Sequence, residues 1–411
     1  MNTASHRRQA WLEDEIEQIL TFYYPTCLDE STGGYIAQLN EESGAVYDQS
    51  SKHLVSTARF IVNFSLADQL NGPSWSQSAL THGLQFLREY HRDHDNGGYH
   101  WLVEDTQPVD AKRVCYGHAF VLLALARASE SDACEVEDEL RAVHRCIENR
   151  FFEPSHGLYK SKYNADWSTA VSYRGQNANM HMCEAMLACY EATSETQFVD
   201  RALRIARELT VELTQATDGL IWEHYTETWD HDFEYNRDNP THTFRPWGYQ
   251  PGHQIEWAKL LAILGRYVDA AWVIPRAEEL FEASVTHGWD EQRGGLYYSL
   301  DRDRKPLVSE KYSWEVAEAI GAAATLYEQT GKQQYLEWYD RFWSYAEHHL
   351  INPETRCWYT KVTEANEPVP RTDGVAVEPG YHPINACFEA RRSLADTNKH
   401  TRVSHDFKND E

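Results

Sequence analysis

Two kinds of helical segment alternate along the chain. Residues 121–126 and 317–327 are small and apolar on nearly every side, whereas residues 195–212 carry a polar face. A helix that is apolar all round is buried, and a helix with a polar face lies at the surface. The pattern therefore predicts buried inner helices that alternate with outer helices.

A short motif separates these helices and recurs about every 60 residues. In this motif a glycine is followed by apolar or aromatic residues that alternate with polar ones, which predicts short strands or turns in the connections. The interval is long enough for two helices and their connections. The copies begin at Gly34, Gly98, Gly157, Gly219 and Gly295, and a sixth copy, without the glycine, begins at Cys357.

A second series of six segments marks the expected start of one inner helix in each repeat. These segments are residues 56–60, 116–120, 179–182, 251–254, 313–316 and 380–383. Six inner and six outer helices predict an all-α protein, an (α/α)6 barrel with short β-strands or hairpins in its loops. We expect residues 1–395 to form one domain, and the polar, aperiodic residues 396–411 to form a mobile tail.

Charge and composition limit the classes of partner. The formal net charge is −26, which opposes binding to nucleic acids and anionic membranes and favours a small neutral ligand. The chain shows no signal peptide and no apolar run of membrane-spanning length. Its eight cysteines form no CxxC pair, so we expect reduced thiols in a cytoplasmic protein.

Polar and titratable side chains stand in the first turns of the predicted inner helices, where a packed core would need apolar ones. Burying such groups without partners costs about 1–3 kcal/mol each. Because these turns converge on one axis, the pattern predicts a pocket for a polar ligand. The residues concerned are Arg59, Tyr116, His118, His181, His253, Trp314, Glu315, Glu318 and His382.

Two of these helices carry a glutamate three residues after a histidine. The pairs are His181 with Glu184 and His253 with Glu256, and residues at this spacing share a helical face. Each glutamate is expected to orient its histidine and to favour the protonated form. No HExxH zinc motif, glycine-rich phosphate loop or GxSxG element is present in the sequence.

Residues 244–261, with the sequence FRPWGYQPGHQIEWAKLL, closely resemble the signature of the N-acylglucosamine 2-epimerase superfamily. The RPxG opening is most similar to the branch of mannose isomerases and sulfoquinovose-type isomerases. Further matches fall at residues 56–60, 177–184, 314–318 and 380–383. The resemblance implies an (α/α)6 barrel that needs no metal or nucleotide cofactor for its chemistry.

The resemblance also implies the residues of a sugar site. His253 and His382 would be the acid/base pair, and His118 departs from the family pattern. The motif adds Arg245, and the fifth inner helix adds Glu318. The remaining lining residues implied are Arg59, Tyr116, Asn177, His181, Glu256 and Trp314.

The activity implied is aldose–ketose isomerisation of D-mannose and D-fructose, or of related neutral sugars such as lyxose, through a cis-enediol. His382 is assigned to proton transfer between C1 and C2. His253, steered by Glu256, is assigned to ring opening and to proton movement between O1 and O2, and Arg59 would stabilise the enediolate. The two histidine roles can be exchanged.

Several alternatives remain open at this stage. The nearest is a 2-epimerase acting on mannose, cellobiose or an N-acylglucosamine, which shares the enediol. A sulfoquinovose isomerase, a non-enzymatic binding protein and a glycoside hydrolase are further alternatives. A hydrolase needs two carboxylates about 5–9.5 Å apart and would leave the histidines unexplained. The sequence is compatible with either a monomer or a homodimer.

Overall fold

A computed structural model describes residues 5–242 and 245–395, so the tail predicted for residues 396–411 lies outside the described residues. The described part is mostly helical, as predicted. Its twelve α-helices are α1 (Gln9–Tyr23), α2 (Leu54–Gln69), α3 (Ser76–Phe86), α4 (Cys115–Ala128), α5 (Glu137–Arg150), α6 (Gln176–Thr193), α7 (Thr196–Arg207), α8 (Pro251–Leu264), α9 (Val273–Gly288), α10 (Ser313–Thr330), α11 (Gln333–Tyr345) and α12 (Tyr381–Ser393). Short 3₁₀ or π-helical turns span Ser5–Arg7, Leu87–His91, Glu208–Glu212, Leu213–Thr217 and Ala346–Leu350.

The helices lie in two layers. The even-numbered helices contact one another in the order α2, α4, α6, α8, α10 and α12, and α12 contacts α2 again. Each odd-numbered helix packs against an even-numbered neighbour, with α1 against α12. The even-numbered helices are buried along most of their length, which confirms the predicted alternation of inner and outer helices. No described helix has the length and apolar character needed to cross a membrane.

Fifteen short strands occur in the connections of the described chain. The strands are β1 (Gln38–Leu39), β2 (Val46–Asp48), β3 (Ser51–His53), β4 (Leu102–Glu104), β5 (Gln107–Asp110), β6 (Arg113–Val114), β7 (Phe152–Glu153), β8 (Leu158–Tyr159), β9 (Lys162–Tyr163), β10 (Arg174–Gly175), β11 (His224–Tyr225), β12 (Ser299–Leu300), β13 (Pro306–Val308), β14 (Lys311–Tyr312) and β15 (Lys361–Val362). All ladders are antiparallel, and they join β1 to β2, β3 to β4 to β5, β6 to β9, β7 to β8, β10 to β11, β12 to β13, and β14 to β15.

Four of these strands end directly before an inner helix. Strands β3, β6, β10 and β14 lead into α2, α4, α6 and α10, and each pairs with a strand from the connection of the next repeat. The pairing ties the start of one inner helix to the following repeat. The longest connection, residues 226–250, joins β11 to α8.

The glycine motif forms the same turn in each repeat. All five of its glycines have a positive φ, between 70° and 84°. This is the left-handed region, in which a glycine carries no steric penalty. In the sixth copy Cys357 stands in the place of the glycine, and the positive φ, 60°, falls one position earlier, at Arg356. The sixth turn therefore keeps a left-handed residue, but not at the position of the glycine.

A buried ion pair links this turn to the inner helix. Lys52 Nζ lies 2.8 Å from Asp29 Oδ2, and Lys311 Nζ lies 3.0 Å from Asp290 Oδ2. Equivalent pairs join Arg113 to Asp93 and Arg174 to Glu153. In each pair the basic residue belongs to the strand before the inner helix, and the acidic residue lies a few positions before the glycine of the motif. The pair thereby fixes where the inner helix begins.

Candidate active site

A cavity of about 130 Å³ opens where the inner helices begin. Eight of the ten residues predicted for the site line it, and they come from α2, α4, α6, α8, α10 and α12. These residues are Arg59, Tyr116, Asn177, His181, His253, Glu256, Trp314 and His382. The first turns of the inner helices therefore converge, as the sequence predicts.

Trp314 lies between the two histidines predicted to be catalytic. Its ring centroid is 5.1 Å from that of His253 and 5.8 Å from that of His382. His253 is the third residue of α8, and His382 is the second residue of α12. Both imidazoles therefore line one cavity and contact the same indole.

The partner of His253 is Glu223, and the prediction that Glu256 orients His253 is wrong. Nδ1 of His253 lies 2.9 Å from Glu223 Oε1, and Gln176 Nε2 donates to Glu223 Oε2 at 3.0 Å. The indole of Trp257 donates to Gln176 Oε1 at 2.9 Å, which fixes the orientation of the amide. Gln176 Nε2 also lies 2.9 Å from His253 Nδ1. Both polar contacts of the His253 ring therefore fall on Nδ1, and Nε2 makes no hydrogen bond within the described chain.

His382 is held by two carboxylates. Its Nδ1 lies 2.6 Å from Glu318 Oε1, and its Nε2 lies 3.4 Å from Glu378 Oε1. Burial lowers the pKa of His382, but the negative charges of Glu378 and Glu318 outweigh burial and raise this pKa to about 9. The imidazole is therefore protonated at neutral pH in the empty site.

Arg59 connects His382 to the opposite wall. Its guanidinium pairs with the Glu378 carboxylate, and Nη2 lies 3.2 Å from Tyr116 Oη and 3.3 Å from His382 Nε2. It also stacks on the ring of Phe120, with Cζ 4.5 Å from the centroid. Burial lowers the pKa of Arg59, but Glu378 more than offsets this and raises it, so the guanidinium is a fixed positive charge.

His181 forms the pair with Glu184 that the sequence predicts. Nδ1 of His181 lies 2.8 Å from Glu184 Oε2, and the hydroxyl of Tyr381 donates to Glu184 Oε1 at 2.8 Å. Burial lowers the pKa of His181 to about 4, although the Glu184 hydrogen bond acts in the opposite direction. His181 is therefore neutral at pH 7, contrary to the predicted protonated form, and its Nε2 is a hydrogen-bond acceptor.

Beneath the cavity, the positive charge of one lysine interacts with three buried glutamates. Lys259 Nζ pairs with Glu318 Oε2, and burial, which lowers the pKa of Lys259, is outweighed by Glu318, Glu184 and Glu256. Lys259 in turn helps to lower the pKa of Glu318 and that of Glu184. Burial and the negative charge of Glu318 raise the pKa of Glu256 well above its usual value. Glu256 is therefore the protonated member of the three.

Two groups of side chains have ligand atoms close enough to hold a metal ion. They are His181 with Glu184 and Glu256, and Glu256 with Glu318 and His382, each within 4.8 Å. The Lys259 ammonium already pairs with Glu318 in the second group. The charge of these carboxylates is thus balanced by groups of the chain itself.

The other predicted residues lie outside the cavity. Glu318 stands behind His382, and Arg245 lines a neighbouring cavity with Tyr116 and Asn177. Glu315 is fully buried, and burial raises its pKa well above the usual value. His118 is also fully buried, and its Nδ1 lies 2.8 Å from the carbonyl of Val114. Its role is therefore structural.

Sequence reasoning missed four residues that complete the site. Glu223 and Gln176 fix His253, and Glu378 and Arg371 line the cavity. Three of the four belong to irregular connections, where helical periodicity gives no signal. The one available signal was position, because Glu223 follows the fourth glycine motif and Glu378 directly precedes the sixth inner helix.

Comparison with known proteins agrees with this architecture. The chain is 38% identical to a D-mannose isomerase of Marinomonas mediterranea over 94% of this chain and 98% of the relative. It is 33% identical to a D-mannose isomerase of Thermobifida fusca over 93% and 94% of the two chains. A crystal structure of D-mannose isomerase superposes with a TM-score of 0.91 at 37% identity, covering 95% of this chain and all of the other.

A family model points to the same group. The model described as N-acylglucosamine 2-epimerase matches residues 34–386, which include five of the six inner helices, the first part of α12 and every residue placed in the cavity. The resemblance seen in the sequence is thereby confirmed. The chain belongs to the N-acylglucosamine 2-epimerase family.

Proposed function

We propose that this chain is an isomerase that interconverts D-mannose and D-fructose, built as a single (α/α)6 barrel over residues 1–395. The closed series of inner helices supports the barrel, and the likeness to D-mannose isomerases supports the substrate, a small neutral monosaccharide. The observation that carries the activity is the pair of imidazoles beside Trp314, each with Nδ1 held by a carboxylate.

The reaction needs two kinds of proton transfer. A base removes the proton from C2 of the open-chain aldose and returns a proton to C1, so that the carbonyl moves through a cis-enediol. At the same time an acid protonates O1 and later accepts the proton of O2. Two groups in opposite protonation states are therefore required at the start.

The surroundings of the two histidines support different roles. Nε2 of His253 makes no hydrogen bond within the described chain and is open to a substrate proton, whereas two carboxylates hold His382 and raise its pKa to about 9. We assign the C1/C2 transfer to His253 and the O1/O2 transfer to His382, which exchanges the roles predicted from the sequence. In this assignment the Arg59 guanidinium, next to His382, stabilises the enediolate oxygen.

The remaining polar groups would bind and orient the sugar. Neutral His181 offers an acceptor, and protonated Glu256, whose Oε1 has no partner within the described residues, offers a donor. Tyr116 and Asn177 supply further hydrogen bonds along the wall. The eight free thiols, six of them buried, support a reducing compartment such as the cytoplasm.

A sugar 2-epimerase is the second candidate, because two imidazoles line the cavity and could exchange protons on opposite faces of C2. A glycoside hydrolase is disfavoured, since the carboxylates of Glu223, Glu184 and Glu318 are each engaged by a histidine.

Incubation of D-mannose with the enzyme in deuterated water tests the proposed function. We expect D-fructose as the main product, with deuterium at C1, because a histidine that carries the proton exchanges it with solvent. Products are identified by NMR. D-glucose as the main product would select the epimerase, and no conversion of mannose, lyxose or fructose would contradict both candidates.

The histidine assignment is tested by His253→Ala and His382→Ala. His253→Ala should abolish both isomerisation and C2 exchange, because burial lowers the pKa of His181 to about 4, and so weak a base cannot replace His253. His382→Ala should lower kcat by about 10²–10⁴-fold, the usual contribution of acid/base assistance, and leave slow C2 exchange. Circular dichroism controls for folding. Near wild-type exchange in His253→Ala would return the carbon base to His382.

The pH profile tests the same assignment independently. If His382 acts as the acid, kcat/KM should fall as pH rises through about 9, the pKa of the free enzyme. Glu378→Gln should move this alkaline limb to lower pH, because Glu378 contributes most to raising the pKa of His382. A kcat/KM that rises through pH 9 would mean that His382 must lose its proton to act.

Lys259→Met tests the internal cation. Removing one partner of a buried ion pair costs about 3–5 kcal/mol, so the free energy of unfolding in urea should fall by this amount. Without Lys259 the Glu318 carboxylate loses its counter-charge, and the alkaline limb should move to higher pH. Lys259→Arg should restore both properties, and Lys332→Met, at an exposed ion pair, should change stability by less than about 1 kcal/mol. Equal stability of Lys259→Met and Lys332→Met would contradict the role given to Lys259.

A further inference from the structure

A second cavity, of about 270 Å³, lies beside the catalytic one and shares its wall. Tyr116 and Asn177 line both cavities. The other walls come from the strand β9, from the segment just before β6, and from the connection that precedes α8. We call this space the side chamber.

The side chamber is positively charged. Lys112, Lys162 and Arg245 line it, and no aspartate or glutamate does so among the residues that the structure describes. The chain as a whole has a net charge of −26, so three cations around one space run against its overall composition. Positive charges that meet without a matching number of carboxylates indicate a site for an anion.

Two of the three cations have no acidic partner in the described chain. Lys112 Nζ pairs with Asp110 at 2.6 Å. Arg245 Nη1 instead donates to the hydroxyl of Tyr235 at 2.6 Å, with its guanidinium 3.9 Å from the ring centroid of Tyr173. The ammonium of Lys162 makes no hydrogen bond or ion pair there, and its pKa is lowered by burial and by the charges of Arg245 and Lys112.

We propose that the side chamber binds an oxyanion, namely a phosphate, sulfate or carboxylate group, between Lys162 and Arg245. The guanidinium keeps Nε and Nη2 free of protein partners in the described chain, and its planar fork matches two oxygens of such a group. The side chains of Ser161 and Asn177 add polar groups to the lining. The guanidinium of Arg245 lies over the ring of Tyr173, which fixes its orientation.

The shared wall allows two sources for the anion. It is either a free ion or the charged end of a sugar whose other end lies in the catalytic cavity. Asn177 Oδ1 is buried without a partner within the described residues and is available to a ligand on this wall. The inference goes beyond the proposed function, which concerns a neutral sugar.

Calorimetric titration of the full chain with inorganic phosphate and, separately, with mannose 6-phosphate tests the proposal, at constant ionic strength in an amine buffer. Lys162→Ala should weaken binding of at least one of them by about tenfold or more, the usual contribution of a charge-assisted hydrogen bond. Lys162→Arg should keep the affinity. Lys332→Ala removes the same charge beyond the far end of α10, a helix of 18 residues and therefore about 27 Å long, and should have no effect.

The two titrations distinguish the sources. A loss confined to phosphate identifies a free ion, a loss confined to mannose 6-phosphate identifies a charged sugar, and a loss in both shows that the chamber accepts either. Absence of millimolar binding by wild type, or equal affinities of Lys162→Ala and Lys332→Ala, would overturn the proposal. Because binding is measured without turnover, this outcome is independent of whether mannose is isomerised.

Discussion

The geometry of the site depends on the point at which each inner helix begins. In four repeats a buried basic side chain in the strand before the helix pairs with an acidic side chain beside the left-handed turn. The antiparallel ladders then tie that strand to the next repeat. A buried pair of this kind is costly to break, because either partner alone would be left as an uncompensated charge. The first turns of the inner helices are thereby held at the same depth, and their side chains meet in one cavity.

The balance of buried charges also sets the pKa values of the residues beneath that cavity. Glu223, Glu184 and Glu318 each contact one histidine at Nδ1, yet the pKa of His181 and that of His382 shift in opposite directions because their surroundings differ. His181 sees one carboxylate and remains neutral, whereas His382 sees two and is protonated. Lys259 balances the remaining negative charge, and Glu256 keeps its proton.

Much of this architecture could be predicted from the sequence because it is periodic. The repeat predicted the helices, the turns and six of the lining residues, since apolar periodicity and the glycine motif act locally, and the family resemblance added Asn177 and Glu256. The pairing of His253 with Glu256 was wrong because spacing on a helix shows which residues share a face but not where an imidazole nitrogen points. For His181 the same spacing held, whereas Nδ1 of His253 is directed to Glu223, beyond the helix.

The long-range contributions could not be predicted for a related reason. Glu378 and Glu223 belong to irregular segments, and Lys112, Lys162 and Arg245 come from separate connections that meet only in the folded chain. Net charge is a sum over the whole surface and conceals a local reversal of sign. The sequence therefore indicated a neutral ligand, while the structure places three cations around one space beside the cavity of the candidate active site.

The uneven length of the connections has a consequence for engineering. The segment 226–250 is the longest connection between a strand and an inner helix, and it carries Arg245 to the side chamber. Because α8 still begins in register with the other inner helices, the length of this segment does not displace His253 from the cavity. His253 and His382 stand on helices, whereas Arg245 stands on this connection. Replacing the connection would therefore alter the side chamber and leave both histidines in place.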